Sequence, residues 1–131
     1  MRLGNNHILP FSFVDNVQEN RINRVLNAFE ESVLNPVYDD QLKLDVLRGN
    51  SKYYKFINDE WINVYTYDDP KLKFDDYHSI SEEGYHILGV DYEWVFIPHF
   101  YLCGDLVIQY IGTDSEVLGI LDELGDEITG R

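Results

Sequence analysis

The chain has 131 residues, is 44% hydrophobic and 15% aromatic, and carries a formal charge of −14. That size suits one domain, residues 1–131, with a core of its own, and the apolar content excludes a disordered acidic tail. The charge argues against direct binding of DNA, RNA or anionic membrane, because affinity for phosphates comes mainly from Lys and Arg.

The charge is unevenly placed. Residues 1–55 hold seven acids and seven bases, whereas residues 56–131 hold seventeen acids against Lys71, Lys73 and Arg131. The entire net charge therefore belongs to the second part of the chain. A field of that sign attracts basic proteins and speeds their association. The opening MRLGNNHILPFSFVDN lacks the long apolar core and small-residue cleavage site of a signal peptide, and no run approaches a membrane span of about 18 apolar residues. A soluble, cytoplasmic protein is expected. Cys103 is the single cysteine, so no disulfide forms within the chain, in keeping with a reducing compartment.

In chain order, the first predicted element is an amphipathic helix over about 17–34. Asn16 and Glu19 stand at capping-box spacing, Ile22, Val25, Leu26, Phe29 and Val33 recur at helical intervals, and Asn35-Pro36 supplies a stop. Leu42, Leu44 and Val46 alternate as in a strand, although Asp39 would also suit the cap of a short helix; a strand is preferred. The runs YYKFI (53–57) and WINVYTY (61–67) read as a hairpin closed by Asn58-Asp59-Glu60.

Residues 67–86, YDDPKLKFDDYHSISEEGYH, hold three acid pairs seven residues apart: Asp68/Asp69, Asp75/Asp76 and Glu82/Glu83. Neighbours on a strand point to opposite faces, so such pairs are expected in loops. A second hairpin follows, with YEWVFIPHFYL (92–102) and DLVIQYI (105–111) meeting around Cys103-Gly104. Pro98 cannot donate to a ladder and marks an edge or a bulge. A last helix opens at Thr113, with Glu116 three residues on. Val117, Ile120, Leu121, Leu124 and Ile128 point inward, and Asp114, Glu116, Asp122, Glu123, Asp126 and Glu127 form a wholly acidic outer face. Gly119 and Gly125 weaken this helix. Together these elements predict an α+β domain: a mostly antiparallel sheet of four to six strands, two hairpins among them, under N-terminal and C-terminal amphipathic helices.

Three chemistries are conceivable, two in the acidic stretch and one at Cys103. His78, Glu82 and His86 fall at i, i+4 and i+8 and would line a helix as zinc ligands, but Gly84 interrupts the segment and neither HExxH nor CxxC spacing occurs. Asp69-Pro70-Lys71, with Asp59 upstream, has the spacing of a metal-dependent nuclease; the proline spoils the strand that such a site needs, and the surface charge repels the substrate. Cys103 lies at a turn without a G-x-S-x-G elbow or other nucleophile motif and suits a small apolar filler, and phosphate-binding glycine motifs are absent. No metal, cofactor or catalytic residue is expected, and an enzyme, such as a metal-dependent hydrolase, is the least favoured class.

Binding is the remaining chemistry. Tyr67, Tyr77, Tyr85 and Tyr92 lie close to the acids, and Trp61 and Trp94 adjoin Glu60 and Glu93. Aromatic anchors ringed by carboxylates combine buried area with electrostatic steering. The competing explanations are ordinary solvated loops and a sheet core rich in tyrosine. The expected partner-binding residues are Asp68, Asp69, Asp75, Asp76, Tyr77, Glu82, Glu83, Tyr85, Asp91 and Tyr92, and the expected partner is a basic protein, a toxin or a nucleic-acid-acting enzyme. In size, acidity and class, though in no motif, the chain resembles bacterial immunity proteins and phage proteins that mimic DNA, which implies inhibition by occlusion. The alternative is a structural or assembly subunit acting through sheet edges.

Overall fold

Two strands at the centre of the sheet, each covered on both faces, organise the molecule. The computed structural model describes the backbone of residues 9–130 and side chains from Glu19 to Gly130. In chain order the elements are α1 (Leu9–Ala28), β1 (Val37–Asp39), β2 (Asn50–Lys55), β3 (Trp61–Thr66), α2 (Pro70–His78), β4 (His86–Ile87), β5 (Val90–Asp91), β6 (Pro98–Cys103), β7 (Leu106–Ile111), α3 (Ser115–Leu124) and β8 (Asp126–Glu127). Six strands form one antiparallel sheet in the order β1-β2-β3-β7-β6-β8, and β4 pairs with β5 apart from it. The fold is α+β with a mostly antiparallel sheet, and both expected hairpins are present.

Alternation along β3 and β7 divides the core in two. Ile62, Val64, Ile108 and Tyr110 face α1 and α3, meeting Ile22, Val25, Phe29, Val117 and Leu121. Tyr65, Val107 and Phe100 of β6 face the other way, against Val46, Leu47, Ile80 and Ile87, with Leu72 and Tyr77 of α2 packed beside them. All six residues of β7 are buried, which explains why LVIQYI reads as an almost unbroken apolar run. The exception is Gln109, fully buried opposite Asn63 of β3.

The helices shift from their expected bounds. Leu9 and Pro10 begin α1, so Asn16 lies inside it rather than at its cap; proline is tolerated in a first turn, where its missing N–H would have no partner. The helix ends at Ala28, and three-residue turns carry the chain onward, leaving Val33 exposed and putting Leu34 into the core. In α3 the cap is Asp114, one residue beyond Thr113, accepting from the N–H groups of Glu116 (2.8 Å) and Val117 (3.3 Å). Asp126 and Glu127 are not on its outer face. The chain turns at Gly125, where any side chain would run into the Leu102 carbonyl, and pairs as β8 with β6, which sends Ile128 to the second core.

Other segments also depart from the sequence reading. Residues 42–47 are not a strand: tyrosine hydroxyls from the sheet replace the ladder. The Leu44 N–H donates to Tyr53 Oη (2.7 Å), the Val46 N–H donates to Tyr65 Oη (2.9 Å), and Asp45 accepts from the Tyr53 and Ser51 hydroxyls, each at 2.7 Å. Residues 92–97 are irregular, and Pro98 is the first residue of β6, a position that needs no ladder donor. No described helix is long and apolar enough to cross a membrane.

Burial of Phe29 makes a direct test of the first core. Its ring is fully buried 5.2 Å from that of Phe56. Phe29→Ala should lower the unfolding free energy by about 3–5 kcal/mol in a urea titration, whereas Glu123→Gln on the exposed side of α3 should change it by less than about 0.5 kcal/mol. Equal losses would mean that the inward and outward faces have been exchanged.

Candidate protein-binding surface

The acidic stretch covers the second face of the sheet, and its first part is a helix rather than a loop. Asp69 caps α2 by accepting from the Lys71 N–H (2.9 Å), and Pro70 occupies the first helical position. Asp-Pro at that spacing is a helix-start signal that was present in the sequence. The helix then separates the neighbours Asp75 and Asp76. Asp75 is exposed and pairs with Lys71 at 3.0 Å. Asp76 is fully buried, so it cannot meet a partner at the surface. Its Oδ2 accepts from the Arg48 N–H (2.7 Å) and the Tyr67 hydroxyl (2.8 Å), and its Oδ1 accepts from Arg48 Nε (2.7 Å). Burial and this carboxylate both push the Tyr67 hydroxyl well above its ordinary pKa. Asp76 is thus a brace joining α2 to the segment before β2.

The remaining expected residues divide between packing and surface. Tyr77 is half-buried, within 5.7 Å of the Phe74 ring and 4.4 Å of the His78 ring. Tyr92 is half-buried and stacked on Trp94 at 5.3 Å, while the Trp94 indole N–H donates to the Gly84 carbonyl (2.8 Å). Both tyrosines pack against the second core. Asp91, exposed in β5, lies 2.6 Å from His86 Nδ1. His78 ends α2, Glu82 sits in a turn and His86 is in β4, so these three do not line one helix. Among the described residues no three His, Cys, Asp or Glu side chains are grouped to hold a metal ion. Cys103 is buried, and burial first, then Asp126, pushes its thiol up to about 12, as suits a packed thiol rather than a nucleophile.

Glu82, Glu83 and Tyr85 do come together, in a groove of about 280 Å³ that they share with Ile97, Pro98, His99, Glu127 and Gly130. Gly84, at φ +79°, holds the turn against Pro98, where a side chain would not fit. The Gly130 N–H donates to the Glu82 carbonyl (2.8 Å) and ties the turn to the segment after β8. His99 is fixed between acceptors, with Nδ1 2.7 Å from Glu127 Oε2 and Nε2 3.1 Å from the Gly112 carbonyl.

No family model matches the chain, and no curated protein or solved structure is significantly similar to it. Geometry and charge must therefore carry the functional reading.

Beside the groove runs Val95-Phe96-Ile97, three consecutive exposed apolar residues. Sequence reasoning missed them, together with His99, because VFIPH resembles the buried half of a strand, and it set Glu127 on the outer face of the last helix rather than in β8. The proline that starts β6 was the available signal: residues just ahead of it need not be paired. The groove thus places carboxylates next to apolar surface, an arrangement suited to a cationic side chain with an aliphatic stem.

Proposed function

We propose that the chain is a non-enzymatic, cytoplasmic protein that docks onto a basic, nucleic-acid-acting protein and blocks it, in the manner of an immunity protein or an anti-restriction DNA mimic. The observation that carries this reading is the groove bearing Glu82, Glu83 and Tyr85 beside the exposed run Val95-Phe96-Ile97, in the half of the chain that holds the whole net charge. Two of that half's three bases already face acids: Lys71 pairs with Asp75, and Lys73 lies 3.7 Å from Asp105. Carboxylates would take the places of substrate phosphates on the partner's Lys and Arg, and the exposed apolar residues would anchor the contact. Asp68, Asp69, Asp75 and Asp91, all exposed, would add to the steering field.

The test is association kinetics with a basic partner recovered from the native host. Exposed charges act over about 8 Å at physiological salt, so raising salt should slow the on-rate far more than it speeds dissociation. Glu82→Gln with Glu83→Gln should reproduce part of that slowing at low salt with the unfolding midpoint unchanged. Phe96→Ala should act on the off-rate, by about 2 kcal/mol if it is an anchor. An on-rate indifferent to salt and to both glutamates would remove the support for inhibition by charge mimicry.

A further inference from the structure

The two ends of the sheet differ in chemistry. At one end β8 is two residues long and acidic, Asp126-Glu127, in the part of the chain that carries the net charge of −14. Two such edges repel each other, a common guard against edge-to-edge pairing. At the other end β1 presents Val37-Tyr38-Asp39, with Val37 58% and Tyr38 56% exposed. Val33 and Ile57 nearby are 77% and 72% exposed, and a groove of about 350 Å³ runs along the edge between Val37, Tyr38, Phe56 and Ile57, rimmed by Asp39, Asp40 and Lys55. The charged residues of this edge are of both signs, Lys55 beside Asp39 and Asp40, so an approaching copy meets opposite charge as well as like charge. The edge thus joins exposed apolar residues to charges of both signs, whereas the strand at the opposite end is wholly acidic.

We propose that a second copy of this chain docks on β1, the two β1 strands pairing antiparallel about a twofold axis at Tyr38 so that the two sheets become continuous. The register supplies the complementarity. Within one copy Val37 lies opposite Lys55 and Tyr38 opposite Tyr54. In the twofold pairing Val37 faces Asp39 of the second copy, which sets Lys55, Val37 and that Asp39 in one row on one face. Two strand spacings separate the Cα atoms of Lys55 and the second copy's Asp39, about 10 Å, within the combined reach of an extended lysine and an aspartate. The axis repeats the pair, so each dimer gains two. On the opposite face Tyr54 and Tyr38, whose rings are 5.8 Å apart, continue into Tyr38 and Tyr54 of the second copy. Lys55 can shift to this role because its own partner, Asp59, is an exposed turn residue 3.7 Å away. A three-residue edge with its apolar flanks makes a small interface, so the dimer is expected to be reversible.

Sedimentation equilibrium of the full chain tests this. Across roughly 1 µM to 1 mM, where small interfaces dissociate, the mass should rise from 15.4 kDa toward twice that value. Lys55→Glu should weaken the dimer at least about tenfold, Asp39→Lys should do the same, and the double exchange should restore it, as a direct pair requires. Val37→Lys should abolish it, with an unfolding midpoint close to that of the parent showing that the fold survives. A monomer at every concentration would overturn the proposal, including the case in which this edge accepts a strand from another protein. So would a dimer that none of these substitutions weakens, or single losses that the double exchange fails to repair. The outcome is independent of whether the acidic groove binds a basic partner.

Discussion

Raising the pH above 10 should unfold the protein in one steep step. Tyr53, Tyr54, Tyr65, Tyr67, Tyr101 and Tyr110 are all buried, and burial is the first cause that lifts each hydroxyl above the ordinary value of 10.0. Four are also hydrogen-bonded to carboxylates, Tyr53 to Asp45, Tyr67 to Asp76, Tyr101 to Asp122 and Tyr110 to Glu60, which disfavour the phenolate further. The folded state therefore keeps protons that the unfolded state releases above pH 10. Stability from this source is constant below that pH and falls as pH rises beyond it. Each tyrosine that keeps its proton in the fold contributes a slope of about 1.4 kcal/mol per pH unit, so the five raised furthest, Tyr53, Tyr65, Tyr67, Tyr101 and Tyr110, give about 7 kcal/mol per unit against a total stability of about 5–15 kcal/mol. The native state should be lost within about one to two units above pH 10. Phenolate absorbance and far-ultraviolet circular dichroism, followed together, should change in step. Gradual ionisation of all the tyrosines with the dichroism intact would show that these hydroxyls are open to solvent and that the tyrosine-rich core is wrongly described.

Removing the Asp76 carboxylate should be the most damaging change of a single acidic residue. Asp76→Ala leaves the Arg48 N–H and the Tyr67 hydroxyl without their acceptor and uncouples α2 from the segment before β2. Breaking a buried pair and stranding its polar partners costs about 3–5 kcal/mol. Arg48 is half exposed and can be rehydrated, which places the expected loss near the lower end. Asp75→Ala, one residue earlier and paired only with exposed Lys71, should cost less than about 1 kcal/mol. Urea midpoints of the two variants decide the matter. Small and equal effects would mean that Asp76 is not the brace it resembles, and would return it to the set of carboxylates available for binding.

That contrast shows where local sequence stops being informative. Asp75 and Asp76 are chemically identical, and acidic pairs suggest solvated loops. What separates them is a helical step of about 100° and an arginine 28 residues earlier in the chain, and periodicity does not report the arginine. Residues 42–47 are a similar case: alternation suggests a strand, but their backbone donors go to tyrosine hydroxyls projecting from β2 and β3, a long-range choice with no local signature. The features legible in advance were those decided within a few residues. Both hairpins follow from alternation and their turns, and the inward faces of α1 and α3 follow from helical spacing at Ile22, Val25, Val117 and Leu121. Asp69-Pro70 is also a local signal, in which the same aspartate that adds to the acidic run serves as the cap of α2. Of the expected binding residues, Glu82, Glu83 and Tyr85 converge on one groove because the turn at Gly84 brings them there, and their companions Ile97 and Glu127 arrive from distant parts of the chain.

β3 and β7 meet at the centre of the sheet from positions far apart in the chain, as the 44-residue separation of Tyr65 and Gln109 illustrates. Each hairpin, β2–β3 and β6–β7, closes locally and can form within microseconds. Joining them requires closure of the long excursion through α2, β4 and β5, an entropy cost met before the central ladder provides any gain. Folding should therefore be limited by docking of one hairpin onto the other and run on the slow side for a domain of this size, milliseconds to seconds. Until docking, both β3 and β7 are bare edges although they become the most deeply buried strands of the sheet, and an unpaired strand edge is a template for any other. During that interval the net charge of −14 should act as a chaperone built into the chain, its repulsion slowing the pairing of half-folded copies through their exposed edges.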